Sequence, residues 1–423
     1  MSRKSSRARP TKTAEARAAF DLIERIVDTC PRRIATSDSE RRAHQIVAEE
    51  FARLGLSSTR QTFQFNDSLY KNLALHFGIG TLGTAVGGLL PPVGALLHAL
   101  AASSYWADST RRGYCLRRLL GFKDSQNILA TLPAKGPPKL RIVFLAHVDA
   151  AFTGIMFHPK LIDLFATNPP PGLRFTARSL ALATRTEATL AMTGLIRTFM
   201  GPFGLLLRPA ELVLGLPSLI AFLLALDAVL RDEAVPGAAD NLSGVAGMLL
   251  LAARLMDKKP DNVELVFVAT GAEEASLGGA DALAVEKEHL WPTDQTVILA
   301  FDTFSNGALR FVDREGEVVR TSPPAWLTQV LRETAASEPR FSEVAGMEIP
   351  VGGTDAAPFS YRGYPATCLT CIDPSRKAPD HYHQPTDSPE NVDPHKIVFC
   401  VDFAEKLVER LVEHFDRGPR PLA

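Results

Sequence analysis

The sequence predicts an α/β fold, a three-layer α/β/α sandwich with a mixed, mostly parallel central sheet and two apolar helical insertions. Three observations predict it. Residues 141–146, 263–269 and 296–301 are short apolar runs, rich in β-branched residues, of the kind that form strands buried on both faces. Residues 14–27, 39–54 and 245–256 repeat apolar positions with helical period. Small-residue turns join the two kinds of segment, most clearly at Pro236-Gly237-Ala238-Ala239.

In chain order, Arg3, Lys4, Arg7 and Arg9 make the start basic, and no apolar stretch follows them. Residues 1–14 therefore read as a disordered basic tail rather than a secretory signal, and a cytoplasmic location is expected. Two amphipathic helices and a strand at 59–65 come next. From Asn72 to Ala107 there is no Asp, Glu, Lys or Arg, and Pro91-Pro92 divides the run into pieces shorter than twenty residues. A second insertion fills 151–232; within 190–230 only Arg197, Arg208, Glu211 and Asp227 carry charge, and Pro202, Pro209 and Pro217 punctuate it. Cys368 and Cys371 fall in a strand-like run at 366–371 with no second pair, so they read as core thiols rather than a zinc knot.

Composition sets outer limits. A net charge of −1 gives no electrostatic footprint for nucleic acid. Five cysteines, an odd number without framework spacing, argue for reduced thiols. The residues able to carry chemistry spread from 147 to 383 and must converge, so residues 15–423 are expected as a single catalytic domain with insertions at 72–124 and 151–232.

Those residues follow the apolar runs. His147 and Asp149 end the first, Glu273 and Glu274 follow the second, and Asp302 ends the third. Asp240 precedes the helix at 245–256, and His383 lies near the C-terminal end. In open α/β sheets the carboxyl edge is where sites form. Five metal ligands, a neighbouring aspartate and a spare glutamate are the set a two-metal hydrolase needs. His381 is a competing ligand for His383, and Asp355 reads as a loop-fixing residue.

Six segments in this order resemble the di-zinc exopeptidases, a family that includes leucyl aminopeptidases, aminopeptidase Y, glutamate carboxypeptidases and glutaminyl cyclases. They are Ala146-His147-Val148-Asp149, Gly237-Ala238-Ala239-Asp240-Asn241-Leu242-Ser243-Gly244, Ala272-Glu273-Glu274 with Leu277-Gly278-Gly279, Phe301-Asp302, Gly353-Thr354-Asp355-Ala356-Ala357-Pro358-Phe359, and Tyr382-His383 with Asp387. The resemblance covers residues 15–66, 125–150 and 233–415. It implies two Zn2+ ions per chain bridged by Asp240, with His147 and Asp302 completing one and Glu274 and His383 the other. It also implies Glu273 as general base, Asp149 as the carboxylate that fixes the His147 tautomer, and Tyr382 as a donor to the oxyanion.

The implied activity is hydrolysis of a peptide substrate, with an aminopeptidase as the leading expectation. Glutaminyl cyclisation, carboxypeptidase action and an inactive scaffold of the same fold stay open, and oligomeric state is not legible. The insertions leave two readings open. Residues 72–107 and 190–230 contact a membrane surface, with Arg111, Arg112, Arg117, Arg118 and Lys123 facing anionic headgroups on the inner face; or they pack on each other as a helical cap.

Overall fold

The computed structural model describes residues 11–164 and 169–417, so most of the expected basic tail lies outside the described residues. Helix α1 (Lys12–Thr29) starts within that expected tail, because the Thr11 hydroxyl accepts the Ala14 amide at its first turn. Helix α2 (Asp38–Arg53) is capped in the same way by Ser37. Strand β1 (Ser58–Phe65) leads into helices α3 (Leu69–Val86) and α4 (Pro91–Ser109). The proline pair divides the apolar run by occupying the first turn of α4, where a missing N–H costs nothing.

Strands β2 (Lys123–Leu132) and β3 (Leu140–His147) follow. The second insertion holds the four-residue helix α5 (Pro159–Ile162) and the long helices α6 (Ser179–Met200) and α7 (Arg208–Arg231). Helix α8 (Gly244–Leu255), β4 (Val263–Thr270), α9 (Gly278–Lys287), β5 (Thr296–Asp302) and β6 (Ala308–Arg314) rebuild the α/β alternation. Helix α10 (Ala325–Ala336), β7 (Ala345–Glu348), α11 (Ala357–Ser360), β8 (Ala366–Ile372) and α12 (Pro394–Arg417) complete the chain.

The eight strands form one sheet in the order β1-β2-β4-β3-β5-β8-β6-β7. The β4/β3, β3/β5, β5/β8 and β6/β7 pairs are parallel, and the other three are antiparallel. Every residue of β3 is buried. Its side chains alternate, so Ile142, Phe144 and Ala146 join a core with α1, α2, α8, α10 and α12, while Val143 and Leu145 join a second core with α9 and Phe359 of α11. Helices thus cover both faces, giving three layers. Cys368 and Cys371 are buried in β8, as the alternating pattern implies.

The two insertions pack on each other. Helix α3 lies against α4 and α7, and α6 against the same two helices, as a four-helix bundle. Its base meets the sheet domain through Tyr70, Tyr105, Phe152 and Phe157. Two of the arginines expected to face lipid are instead buried here. Arg117 donates to both Asp108 oxygens at 2.7 Å and to the Ala275 carbonyl at 2.7 Å, and Arg111 donates to Ser276 Oγ at 2.8 Å. Burial wins for Arg117 because its guanidinium meets a bidentate carboxylate and a carbonyl at the bundle base, while Arg111 lies beside Ser276 and Glu317.

Candidate metal centre

The parallel neighbours β4, β3 and β5 end at the same edge, with His147 paired to Thr270 in register. That edge collects the candidates. His147 Nε2 lies 3.3 Å from Asp240 Oδ1, and His383 Nε2 lies 3.3 Å from Asp240 Oδ2 and 3.3 Å from Glu274 Oε1. Donor atoms of His147, Asp240 and Asp302 come within 4.8 Å of one another, as do those of Asp240, Glu274 and His383. Asp240 therefore stands in both sets. Glu273 lies on the His147 side, with Oε2 at 3.8 Å from Nε2.

Backbone contacts hold the loops that carry these groups. The Asp240 turn is fixed by Asp387, which accepts the Ala239 amide at 2.6 Å and the Asp240 amide at 3.1 Å. Asn241 follows through a cis peptide bond; it donates to the Phe301 carbonyl and accepts the Gly244 and Thr303 amides, tying the turn to the end of β5. Asp149 accepts the amides of Glu273 at 3.1 Å and Glu274 at 3.0 Å. The nearest partner of His147 Nδ1 is the Asp149 backbone oxygen at 3.1 Å, with the carboxylate at 3.6 Å. So Asp149 organises the glutamate pair as well as the histidine.

Electrostatics explain why this cluster calls for positive charge. Burial alone would lower both imidazoles, but Glu273, Asp149 and Asp240 hold His147 well above the usual histidine range. Glu274 and Asp240 push His383 up to about 10 against the same burial. Burial and Asp240 raise Asp302 to about 7; burial outweighs His147 and, helped by Glu274, holds Glu273 well above a normal glutamate. Four acids around two imidazoles in a dry site are stabilised only by protons or cations.

Tyr382 is half-buried, its ring 4.0 Å from that of His383 and 5.7 Å from Phe157. His381 turns aside to Thr386 Oγ1 at 2.8 Å, which leaves His383 as the ligand candidate. Asp355 accepts a hydrogen bond from Thr270 and fixes the end of β4.

Three contributors carry no sequence signal that points to the site. Arg33 is fully buried and joins the Val148 and Gly237 carbonyls, both at 2.9 Å, so it braces the His147 and Asp240 loops together. Glu40 accepts the Ala272 amide at 2.8 Å beside the glutamate pair. Its one signal, Ser37-x-x-Glu40, reads as a capping box. Tyr70, at the start of α3, places its hydroxyl 3.3 Å from His383 Nδ1 and so connects the bundle to the site.

An eight-stranded mixed sheet flanked by helices, with a divided donor cluster at the carboxyl edge, defines an α/β fold of the zinc-exopeptidase kind. Residues 225–408 match Peptidase family M28. That similarity covers 184 of the 423 residues, and the fold as a whole is one that solved zinc exopeptidases share. The fold is shared with BSAP, a zinc aminopeptidase from Bacillus subtilis, at 16% identity and a TM-score of 0.54 over 96% of each chain. It is shared with an aminopeptidase from Aneurinibacillus sp. strain AM-1 at 16% identity and a TM-score of 0.53 over 93% of each chain. A glutaminyl cyclase from an Acidobacteriales bacterium matches at 14% identity and a TM-score of 0.53, over 99% of this chain and 100% of that one. Comparison with curated proteins finds no match.

Proposed function

We propose that this chain is a zinc-dependent aminopeptidase that hydrolyses the amino-terminal peptide bond of its substrate with Glu273 as general base. The observation that carries the reading is Asp240, whose two oxygens face two different histidines at 3.3 Å each. A carboxylate placed in this way serves two donor sets at once. His147 and Asp302 complete one, Glu274 and His383 the other, and imidazole with carboxylate is a donor combination that zinc accepts. Two bound zinc ions would polarise the scissile carbonyl and acidify the attacking water.

Glu273 is needed as a ligand in neither set. Its carboxylate takes the proton from water as the C–O bond forms and returns it to the amine as the C–N bond breaks. Asp149 holds the Glu273 and Glu274 amides so that one side chain stays free while its neighbour ligates. Tyr382, packed against His383, supplies a hydroxyl to the developing oxyanion. Retention of all these groups supports an enzyme over an inactive scaffold. Glutaminyl cyclisation is the second reading, because the glutaminyl cyclase fold spans nearly the whole chain.

The test is metal analysis together with turnover of free, N-blocked and N-terminal-glutamine peptides, for the parent and for Glu273→Ala. About two zinc per chain is expected, with cleavage of free N-termini only, and a variant that keeps its metal and loses about 10²–10⁴ in kcat. Cyclisation without cleavage would replace the aminopeptidase reading by the second one. A parent that binds no metal would end both.

A further inference from the structure

The four-helix bundle has its polarity reversed. Its interior holds four polar, ionisable side chains in two pairs: His98 with Glu187 between α4 and α6, and Arg197 with Glu211 between α6 and α7. Arg197 also donates to the Gly87 and Gly204 carbonyls, both at 3.0 Å, and so satisfies the turns at the far end from within. The outside is apolar on every helix. Leu82 of α3, Leu96 of α4, Ile196 of α6 and Leu216 of α7 are exposed, and the far turns present Leu89 at 89% and Leu206 at 77% exposure.

Outer hydroxyls are closed off locally. Ser103, Thr189, Thr193 and Thr198 each donate to the carbonyl four residues earlier, at 2.7 to 3.0 Å. That is how hydroxyls are carried in a medium that offers no hydrogen bonds. Small residues let the helices approach: a Cβ on Gly94 would stand 2.5 Å from Gly87 Cα, and one on Gly194 3.1 Å from Ala95 Cβ. Among the described residues the stretch Thr176–Arg231 is long and apolar enough to cross a membrane, yet only 22% of its most apolar window is buried, unlike the core helix of a water-soluble domain.

We propose that α3, α4, α6 and α7 form a module embedded in a lipid bilayer, entering and leaving on the side of the sheet domain. Helices of 18, 19, 22 and 24 residues measure roughly 27–36 Å at ~1.5 Å per residue, against a hydrocarbon core of ~30 Å. The turns at 87–90 and 201–207 lie in the far leaflet. At the base Arg112 lies 4.8 Å over the exposed Trp106 ring and Arg185 is exposed, an aromatic and basic rim suited to the headgroup level. A protein partner would cover one side, whereas the apolar surface runs round all four helices and over the tip. The proposal does not depend on the reaction assigned above.

The test uses the full chain. Membranes from expressing cells are washed with alkaline carbonate, and a bimane fluorophore is placed on Leu216→Cys in a Cys115→Ser background or on the exposed native Cys115 of the parent, in phosphatidylcholine vesicles. The protein should stay in the carbonate-washed membranes, and lipids carrying a nitroxide on the acyl chain should quench the Leu216→Cys label at least fivefold more than the Cys115 label. Equal quenching at the two sites would overturn the proposal. So would a chain that stays in solution without detergent, whether as a monomer, which makes the bundle a cap, or as a dimer, which makes its surface a contact between copies.

Discussion

The sheet domain and the four-helix bundle differ in what they turn outward. In the sheet domain Ile142, Phe144 and Leu251 are fully enclosed, and a group of acids gathers at one edge as the candidate metal centre. In the bundle His98, Glu187, Arg197 and Glu211 are enclosed, while Leu82, Leu96 and Leu216 look outward. One chain thus carries two solutions to the burial problem. The solvent facing each surface decides which is stable, since the hydrophobic effect sorts side chains only where water is the alternative.

The base of the bundle is where the two rules meet, and it offers the sharpest stability test. Arg117→Ala leaves Asp108 buried without its bidentate partner, and a loss of about 3–5 kcal/mol is expected in thermal unfolding. A loss under about 1 kcal/mol would show that the junction does not hold the regions together. The same leucine deletion should then separate them. Leu251→Ala in α8 should cost about 2–5 kcal/mol, and Leu216→Ala on the outer face of α7 less than about 0.5 kcal/mol, measured in one detergent. Equal costs would break the comparison.

A pH series probes the sheet domain alone. Burial, with Asp355 adding to it, raises Glu315 to about 7 from its ordinary 4.5. An acid raised in the folded state contributes its full stability below the unfolded value and loses it as pH climbs through the folded one. Metal-free protein should therefore lose up to about 3 kcal/mol from this group between pH 4.5 and 7.5, and Glu315→Gln should flatten the slope. An unchanged slope in the variant would place the dependence elsewhere. The smallest effect tests communication between the regions. Tyr70→Phe removes the hydroxyl beside His383 Nδ1, and competition with a chelator should show about tenfold weaker metal binding at one of the two positions.

A strand buried on both faces writes itself as an unbroken apolar run, which is why residues 141–146, 263–269 and 296–301 read as strands; the structure extends each by one or two residues. The ligand candidates are legible for the same reason, as polar residues directly after such runs. Arg33 and Glu40 are not, because they act through backbone groups far away in sequence, the Gly237 carbonyl and the Ala272 amide. Tyr70 lies in a helix that reads only as apolar. The insertions are visible as hydropathy, but a count of apolar residues does not say which way they face. The choice between cap and membrane needs the inward turn of Glu187, Arg197 and Glu211, which three-dimensional packing alone reveals.

If the Asp240 carboxylate serves two metal positions, counting metal in two variants will show it. Zinc per chain would be measured after equilibrium dialysis for the parent, Asp302→Ala and Asp240→Ala, with circular dichroism to check the fold. About two, one and none are expected respectively. Asp240→Ala retaining one tightly bound zinc, or Asp302→Ala losing both, would contradict that role.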